Sequence, residues 1–218
     1  MNNAQPPPEE WLTLKGRLTR ARIIDTAADL FARYGVAGTS LEDVRREAGV
    51  SGSQITHYFG GKPGLIRAVI GQNADAALEG PGPARLETLV DLLTQAGSDA
   101  ASRQGPDWRL GMLAAELTRS DPQTQAELAR GFATRATQLQ KSIEELQRRG
   151  ILRQDADPQA LAHGLLAALY GGMLITRTTQ SSTPLTAAIG AMLAHIASFR
   201  TDQPPHTPTP SDKPPHTH

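Results

Sequence analysis

Residues 39–65 read TSLEDVRREAGVSGSQITHYFGGKPGL. Two short amphipathic segments meet at Ala48-Gly49-Val50, and Gly60-Gly61-Lys62-Pro63 closes the second. Each opens on a hydroxyl residue followed three places on by Glu or Gln, as Thr39 with Glu42 and Ser51 with Gln54, the pattern of a reciprocally capped helix start. Leu41, Val44 and Ala48 form the apolar side of the first segment; Ile55 with Tyr58 or Phe59 forms that of the second. Helices this short are not stable in isolation, so neighbours must clamp the pair. The outer side of the second keeps Gly52, Ser53, Gln54, Thr56 and His57, all small or polar.

Two helices joined by a short glycine turn form a helix-turn-helix, whose second member can enter a major groove. Thr39 and Ser40 stand at the N-terminus of the first, where free N–H groups and a hydroxyl suit a phosphate oxygen. Lys62 stands at the start of a further helix that has Pro63 in its first turn. On the second helix Gln54 matches adenine bidentately, and Ser53 or Thr56 matches several base edges. Other readings stay open beside these: Gln54 as a cap only, His57 as a packing residue, Arg45 and Arg46 as solvated charges rather than phosphate contacts.

Upstream, Ile23, Ala27, Leu30, Phe31 and Tyr34 make one face of a helix ending at Gly35, with Thr19 as its expected cap and Leu18 stapled to Ile23. Downstream, Leu65, Ile66, Val69, Ile70 and Leu78 mark a fourth helix, which Gly80-Pro-Gly-Pro83 breaks. Amphipathic stretches follow over residues 84–103, 107–119 and 121–149, then two very apolar helices opening at Asp157-Pro158 and Thr183-Pro184. No segment alternates with period two, so the fold is expected to be all-α.

The 218 residues carry 22 basic and 22 acidic side chains and a formal net charge of zero. Between Trp11 and Arg67, however, nine basic residues face five acidic ones, a modest local excess that fits a nucleic-acid-binding end. The absence of cysteine excludes disulfides and thiolate chemistry. With no nucleophile elbow, phosphate loop or metal-ligand spacing, no enzyme activity, cofactor or metal is expected. No apolar run suggests a membrane span or a signal peptide, which points to a cytoplasmic protein. Both ends are rich in proline and polar residues, and the histidines of the last stretch read as part of a solvated tail.

The joint pattern Arg20-x-x-Ile23, Ala27, Leu30-Phe31-Ala32-x-x-Gly35, Thr39-Ser40-x-x-Asp43-Val44, Ala48-Gly49-Val50-Ser51 and His57-Tyr58-Phe59-x-x-Lys62-x-x-Leu65 resembles the DNA-binding domain of TetR-family transcriptional repressors over residues 19–66. The resemblance implies a bacterial, nucleoid-associated homodimer of Ω-shaped chains on a palindromic operator. Each chain would join a three-helix head, through the fourth helix, to a helical body that binds a small ligand and dimerises. The expected division is a tail over 1–15, a helix-turn-helix domain over 16–62, a body over 63–200 and a tail over 201–218. By the same resemblance Ser40, Thr56 and Lys62 fall on phosphate positions, and Gly52, Ser53, Gln54 and His57 on base-facing ones. Thr56 stands where the family usually has tyrosine, and Arg45 where it usually has a small residue, which makes Arg45 an extra candidate for DNA contact.

In the body Trp108, Met112, Phe132, Tyr170 and Met173 are candidate walls of a ligand pocket, with Glu116, His163 and Arg177 as polar anchors, suited to a hydrophobic or lipophilic cationic ligand. Leu165, Ala168, Gly172, Leu185, Ile189, Met192 and Ile196 are the candidate dimer seam, with a place in the core of the single chain as the other reading of these two helices. The rival expectation keeps the DNA-binding head but makes the body a protein-interaction module.

Overall fold

Helix starts obey local capping chemistry, and in three places that chemistry differs from the reading of the sequence. A computed structural model describes residues 11–75, 91, 94, 95, 98, 105–117 and 120–201. Helix α1 spans Leu14–Tyr34, and Thr13 caps it by accepting from the Gly16 N–H at 3.1 Å. The helix thus begins inside the stretch expected to be tail. Thr19 is an interior residue whose hydroxyl donates to the Lys15 carbonyl, and Leu18 is 64% exposed instead of stapled. Residues 14–18 are mostly good helix formers, so α1 runs back past its inward face to the nearest hydroxyl cap. Tyr34, expected on the inward face, is exposed.

Helix α2 (Leu41–Ala48) is capped by Ser40 and not by Thr39: the Ser40 side chain accepts from the Asp43 N–H, and Asp43 reaches back to the Ser40 N–H at 3.0 Å. Gly49, at φ 62° and ψ 44°, makes the left-handed turn that glycine favours. Helix α3 (Gly52–Phe59) follows, capped by Ser51 and Gln54 as the sequence indicates. Val44, Ala48, Val50, Ile55 and Phe59 pack on Ile23, Ile24, Ala27 and Phe31 of α1, and on Leu65, Val69 and Ile70 of α4 (Lys62–Asp75).

The body contains α5 (Gly105–Glu116), α6 (Pro122–Arg148), α7 (Pro158–Thr179) and α8 (Thr183–Ala197). The stretch expected as a helix over 84–103 and the Gly80–Pro83 break lie outside the described residues, apart from a few isolated positions. Asp121 and Asp157 cap α6 and α7 with proline in the first turn; at α8 the cap is Ser182, which makes no side-chain bond. α7 is long and apolar enough to cross a membrane by composition, but it packs between α6 and α8 at the centre of the body core. Leu110, Leu113 and Leu128 of the body join the buried cluster of the head, so the apolar interior of the head extends into the body beside a second buried cluster around α7.

The expected dimer seam is corrected by this packing. Leu165, Gly172, Leu185, Ile189 and Ile196 are buried inside a single chain, and Ala168 and Met192 are partly covered. A Cβ on Gly172 would stand 2.8 Å from the Leu185 Cα, so this glycine lets α7 and α8 meet within the protomer. The outward side of these helices carries Ala167, Gly171, Leu174, Ile175, Ala187, Gly190, Ala191 and Ala194 instead.

Gly35 closes α1 at φ 75° and ψ 164°, a region all but restricted to glycine, with the Glu116 carboxylate just over 3 Å from where a Cβ would sit. Gly35→Ala is expected to lower stability by about 1–3 kcal/mol in chemical denaturation. An unchanged midpoint would mean that the loop relaxes freely.

Candidate nucleic-acid interface and body cleft

The recognition surface is built by fixing one side of α3 and leaving the other open. Ile55 and Phe59 are sunk in the head core, and the Arg20 guanidinium lies 5.6 Å from the Phe59 ring centroid. Gly52, Ser53, Thr56 and His57 are exposed together. Thr56 donates to the Gly52 carbonyl at 3.2 Å, and the Ser53 hydroxyl lies 2.9 Å from that of Ser51. His57 touches Tyr58 edge-on at 5.1 Å and is exposed, which removes the packing reading for it.

Gln54 holds the cap: its Oε1 accepts from the Ser51 N–H at 2.9 Å. Bidentate pairing with adenine needs both the amide oxygen and nitrogen, so Gln54 either gives up the cap on binding or reads a base through Nε2 alone. Gln54→Ala is expected to lower stability by up to about 1 kcal/mol, on the scale of a lost capping contact, and to relax preference at one base pair. Stability loss with unchanged base preference in a binding selection would leave Gln54 as a cap only.

Three expected phosphate ligands are spoken for within the chain. Thr39 is 2% exposed, and its hydroxyl donates to the Gly35 carbonyl at 2.9 Å and toward the Leu30 carbonyl at 3.3 Å. It therefore closes the end of α1 and has no hydroxyl to offer a phosphate. Lys62 is partly covered, and Nζ donates to the Val36 carbonyl at 2.7 Å, which uses one of its three donors and ties α4 to the loop after α1. The Ser40 hydroxyl stays exposed but is engaged with Asp43. Bonds from the Ser40 hydroxyl, the Ser40 N–H and Arg46 hold the Asp43 carboxyl at about 2. The cap therefore keeps its charge down to that pH and is lost only as pH falls through it.

Arg45 forks onto Glu42 through Nε and Nη2, and Arg46 pairs with Asp43 at 2.7 Å. The bond from Arg45 holds the Glu42 carboxyl below its ordinary range. Exposed pairs of this kind are weak, so a phosphate can compete for Arg45.

In the body Trp108, Gly111, Met112 and Ala115 of α5 face Tyr170, Met173, Leu174 and Arg177 of α7 across a narrow cleft. Four of the expected walls, Trp108, Met112, Tyr170 and Met173, thus come together, with Arg177 at the same place. Phe132 lies outside the cleft lining, its ring edge-on to Tyr170 at 4.9 Å. Glu116 lies outside this cleft: its carboxylate accepts from the Val36 N–H at 2.7 Å and so joins body to head. Asp29–Arg109 at 2.6 Å and Asp25–Gln72 at 2.7 Å reinforce α1 against α5 and α4. His163 is exposed on α7 and lines no part of the cleft.

Beside the cleft lies a polar cluster not anticipated from the sequence. Arg135 is 1% exposed and pairs with Asp107 at 2.6 Å, and the Tyr170 hydroxyl donates to the same carboxylate oxygen at 2.7 Å. Burial, and then the Asp107 charge, push the Tyr170 phenol far above its ordinary range. A signal did exist: Arg135 falls on the inward spacing of Leu128, Leu139 and Leu146, where an aliphatic residue is the rule.

Comparison with known proteins sets these features in a family. The model for bacterial regulatory proteins of the tetR family matches residues 23–69, and that for the tetracyclin repressor-like C-terminal domain matches residues 82–192. The HTH-type transcriptional repressor DhaR of Mycobacterium sp. strain GP1 is 25% identical over 178 residues, which is 76% of this chain and 86% of that protein. The HTH-type transcriptional regulator BetI of Vibrio vulnificus strain YJ016 is 31% identical over 87 residues, 40% of this chain, and the match spans about a third of that relative's length (34%). Among solved structures, a TetR-family regulator from Cytophaga hutchinsonii superposes with a TM-score of 0.70 at 19% identity over 88% of this chain and all of that one. One from Chloroflexus aurantiacus gives 0.70 at 22% identity over 86% and 98%. These two show likeness of fold.

Proposed function

The chain belongs to the TetR family of DNA-binding transcriptional regulators, which are not enzymes, and from that premise we propose that it is a cytoplasmic, nucleoid-associated repressor. It binds a palindromic operator as a homodimer and leaves it when a small, largely hydrophobic ligand enters the body. The observation that carries this reading is α3 itself, a two-turn helix anchored by Ile55 and Phe59 whose open side is Gly52, Ser53, Thr56 and His57. Such a side fits close to base edges, and capped N-termini at α2 and α3 set the register on phosphate. Residues 13–62 form the reading head and residues 63–200 the body, with α4 shared between them.

The outward side of α7 and α8 supports the dimer. Leu174 is 55% and Ile175 49% exposed, and a Cβ on Gly171 or Gly190 would meet nothing within 4 Å, so a second copy can approach closely there. The cleft of Trp108, Met112 and Met173 supports an apolar ligand. One observation favours the rival reading of a body that answers to a protein: as it stands, this cleft has room for little more than a water.

The test is a genomic-fragment selection with the full chain at low salt, repeated with candidate ligands. The expected result is one enriched inverted repeat holding two protomers, released by an apolar compound. Enrichment of a single half-site by a monomer would sink the palindrome and dimer; release by no small molecule, but by a bound protein, would favour the rival.

A further inference from the structure

Arg135 holds more than Asp107. Its Nη2 donates to the Asn73 carbonyl at 2.6 Å and its Nη1 to the Ala74 carbonyl at 3.3 Å, while Nε lies 3.2 Å from the Tyr170 hydroxyl. Asn73 and Ala74 lie on α4 at the end of its described span away from α3, so the fork holds this helix by its own main chain. The guanidinium is planar, so anchoring one edge on Asp107 fixes the direction of the fork that grips α4. At the end toward the head α4 begins three residues after Phe59, at Lys62, which ties that first turn to Val36. A change at the gripped end is therefore carried along one rigid helix to the base of α3.

Tyr170 belongs to both places. Its ring lines the α5–α7 cleft, and its hydroxyl shares one oxygen of Asp107 with Arg135. The ring is confined on both sides. A methyl added at Gly111 would stand 3.0 Å from its Cδ1, and Phe132 meets it edge-on at 4.9 Å. We propose that Arg135, Asp107 and Tyr170 form a latch on α4, and that Tyr170 is the positioning residue through which filling the cleft reaches the recognition helix. A molecule entering between Trp108, Met112 and Met173 turns the Tyr170 ring, withdraws its hydroxyl from Asp107 and reorients the fork on Asn73 and Ala74. The latch rests on the reading of the chain as a ligand-responsive operator binder only in its last step, the effect on DNA.

The test uses the full chain and two variants that act on the ring from different sides. Tyr170→Phe removes the hydroxyl and keeps the ring; Gly111→Ala pushes the ring as an occupant would; Lys141→Ala, exposed on α6 outside the cleft, is the control. Hydrogen exchange over residues 70–75, measured without DNA, is expected to rise about tenfold in both variants, the scale of one lost bond to a charged group. The control, and exchange over residues 23–28 in the head core, stay at wild-type rates. Affinity for the selected operator is expected to shift at least about threefold, in the same direction for both variants. Exchange within twofold of wild type in both variants overturns the latch even if operator binding is confirmed. Faster exchange with unaltered operator affinity overturns the role of Tyr170 as a relay. Failure of the wild-type chain to bind any duplex fails the regulator reading and leaves the exchange arm to decide the latch. If Gly111→Ala does not fold, Tyr170→Phe alone decides.

Discussion

Asp107→Ala is expected to lower the free energy of unfolding by about 3–5 kcal/mol, the range for stripping one partner from a buried ion pair. The loss follows from what remains. Arg135, 1% exposed, would keep its charge with, among the described residues, the Asn73 and Ala74 carbonyls and the Tyr170 hydroxyl for company. None of these carries a countercharge, and a guanidinium does not shed its proton to escape. The measurement is urea denaturation, read as a shift in midpoint at constant slope. The double change Asp107→Leu with Arg135→Met removes both charges and should recover at least half of the loss, since buried pairs are often replaceable by apolar residues of similar size. A single-variant loss below about 1 kcal/mol, against that 3–5 kcal/mol range, would mean that water reaches the guanidinium and that Arg135 is not sealed.

Thr56→Glu is expected to weaken operator binding by about 100-fold or more, because like charges brought together at an interface cost several kcal/mol. Thr56 is exposed, and the only bond of its side chain among the described residues is to the Gly52 carbonyl within the same helix. The variant should therefore melt like wild type, so that lost binding reports the interface and not the fold. Fluorescence anisotropy on the selected duplex at several salt concentrations checks this, with Thr137→Glu on the exposed side of α6 as the control. Wild-type affinity in Thr56→Glu would remove the open side of α3 from the DNA.

Much of the head was legible because its rules are local. Ser51 and Gln54 cap α3, Gly49 turns the chain, and Ile55 with Phe59 faces inward, all within a dozen residues of sequence. Where adjacent residues compete for one role, spacing alone does not choose. Thr39 and Ser40 both suit the cap of α2, and the decision came from α1, whose end needs the Thr39 hydroxyl on the Gly35 carbonyl. The start of α1 was hidden for the opposite reason: its first turn has no inward face, so periodicity is silent there.

In the body the difficulty is composition. α7 is apolar around much of its circumference, and hydrophobicity cannot then tell the side that meets α8 from the side left outward. Leu165, Gly172, Leu185 and Ile189, expected at a dimer seam, are accordingly found buried in the core of the single chain. Glu116 shows the complementary limit, because its partner Val36 is 80 residues away and nothing in either neighbourhood names the other.

The Val36 peptide group has a consequence for modular redesign. Its carbonyl is held by Lys62, and its N–H by Glu116. In a chimera that grafts residues 13–62 onto the body of a relative, Lys62 travels with the graft and Glu116 stays behind. A buried N–H left unpaired costs about 1–3 kcal/mol, charged to the junction and not to either half. Heads of this kind are therefore interchangeable only between bodies that present a carboxylate where α5 ends.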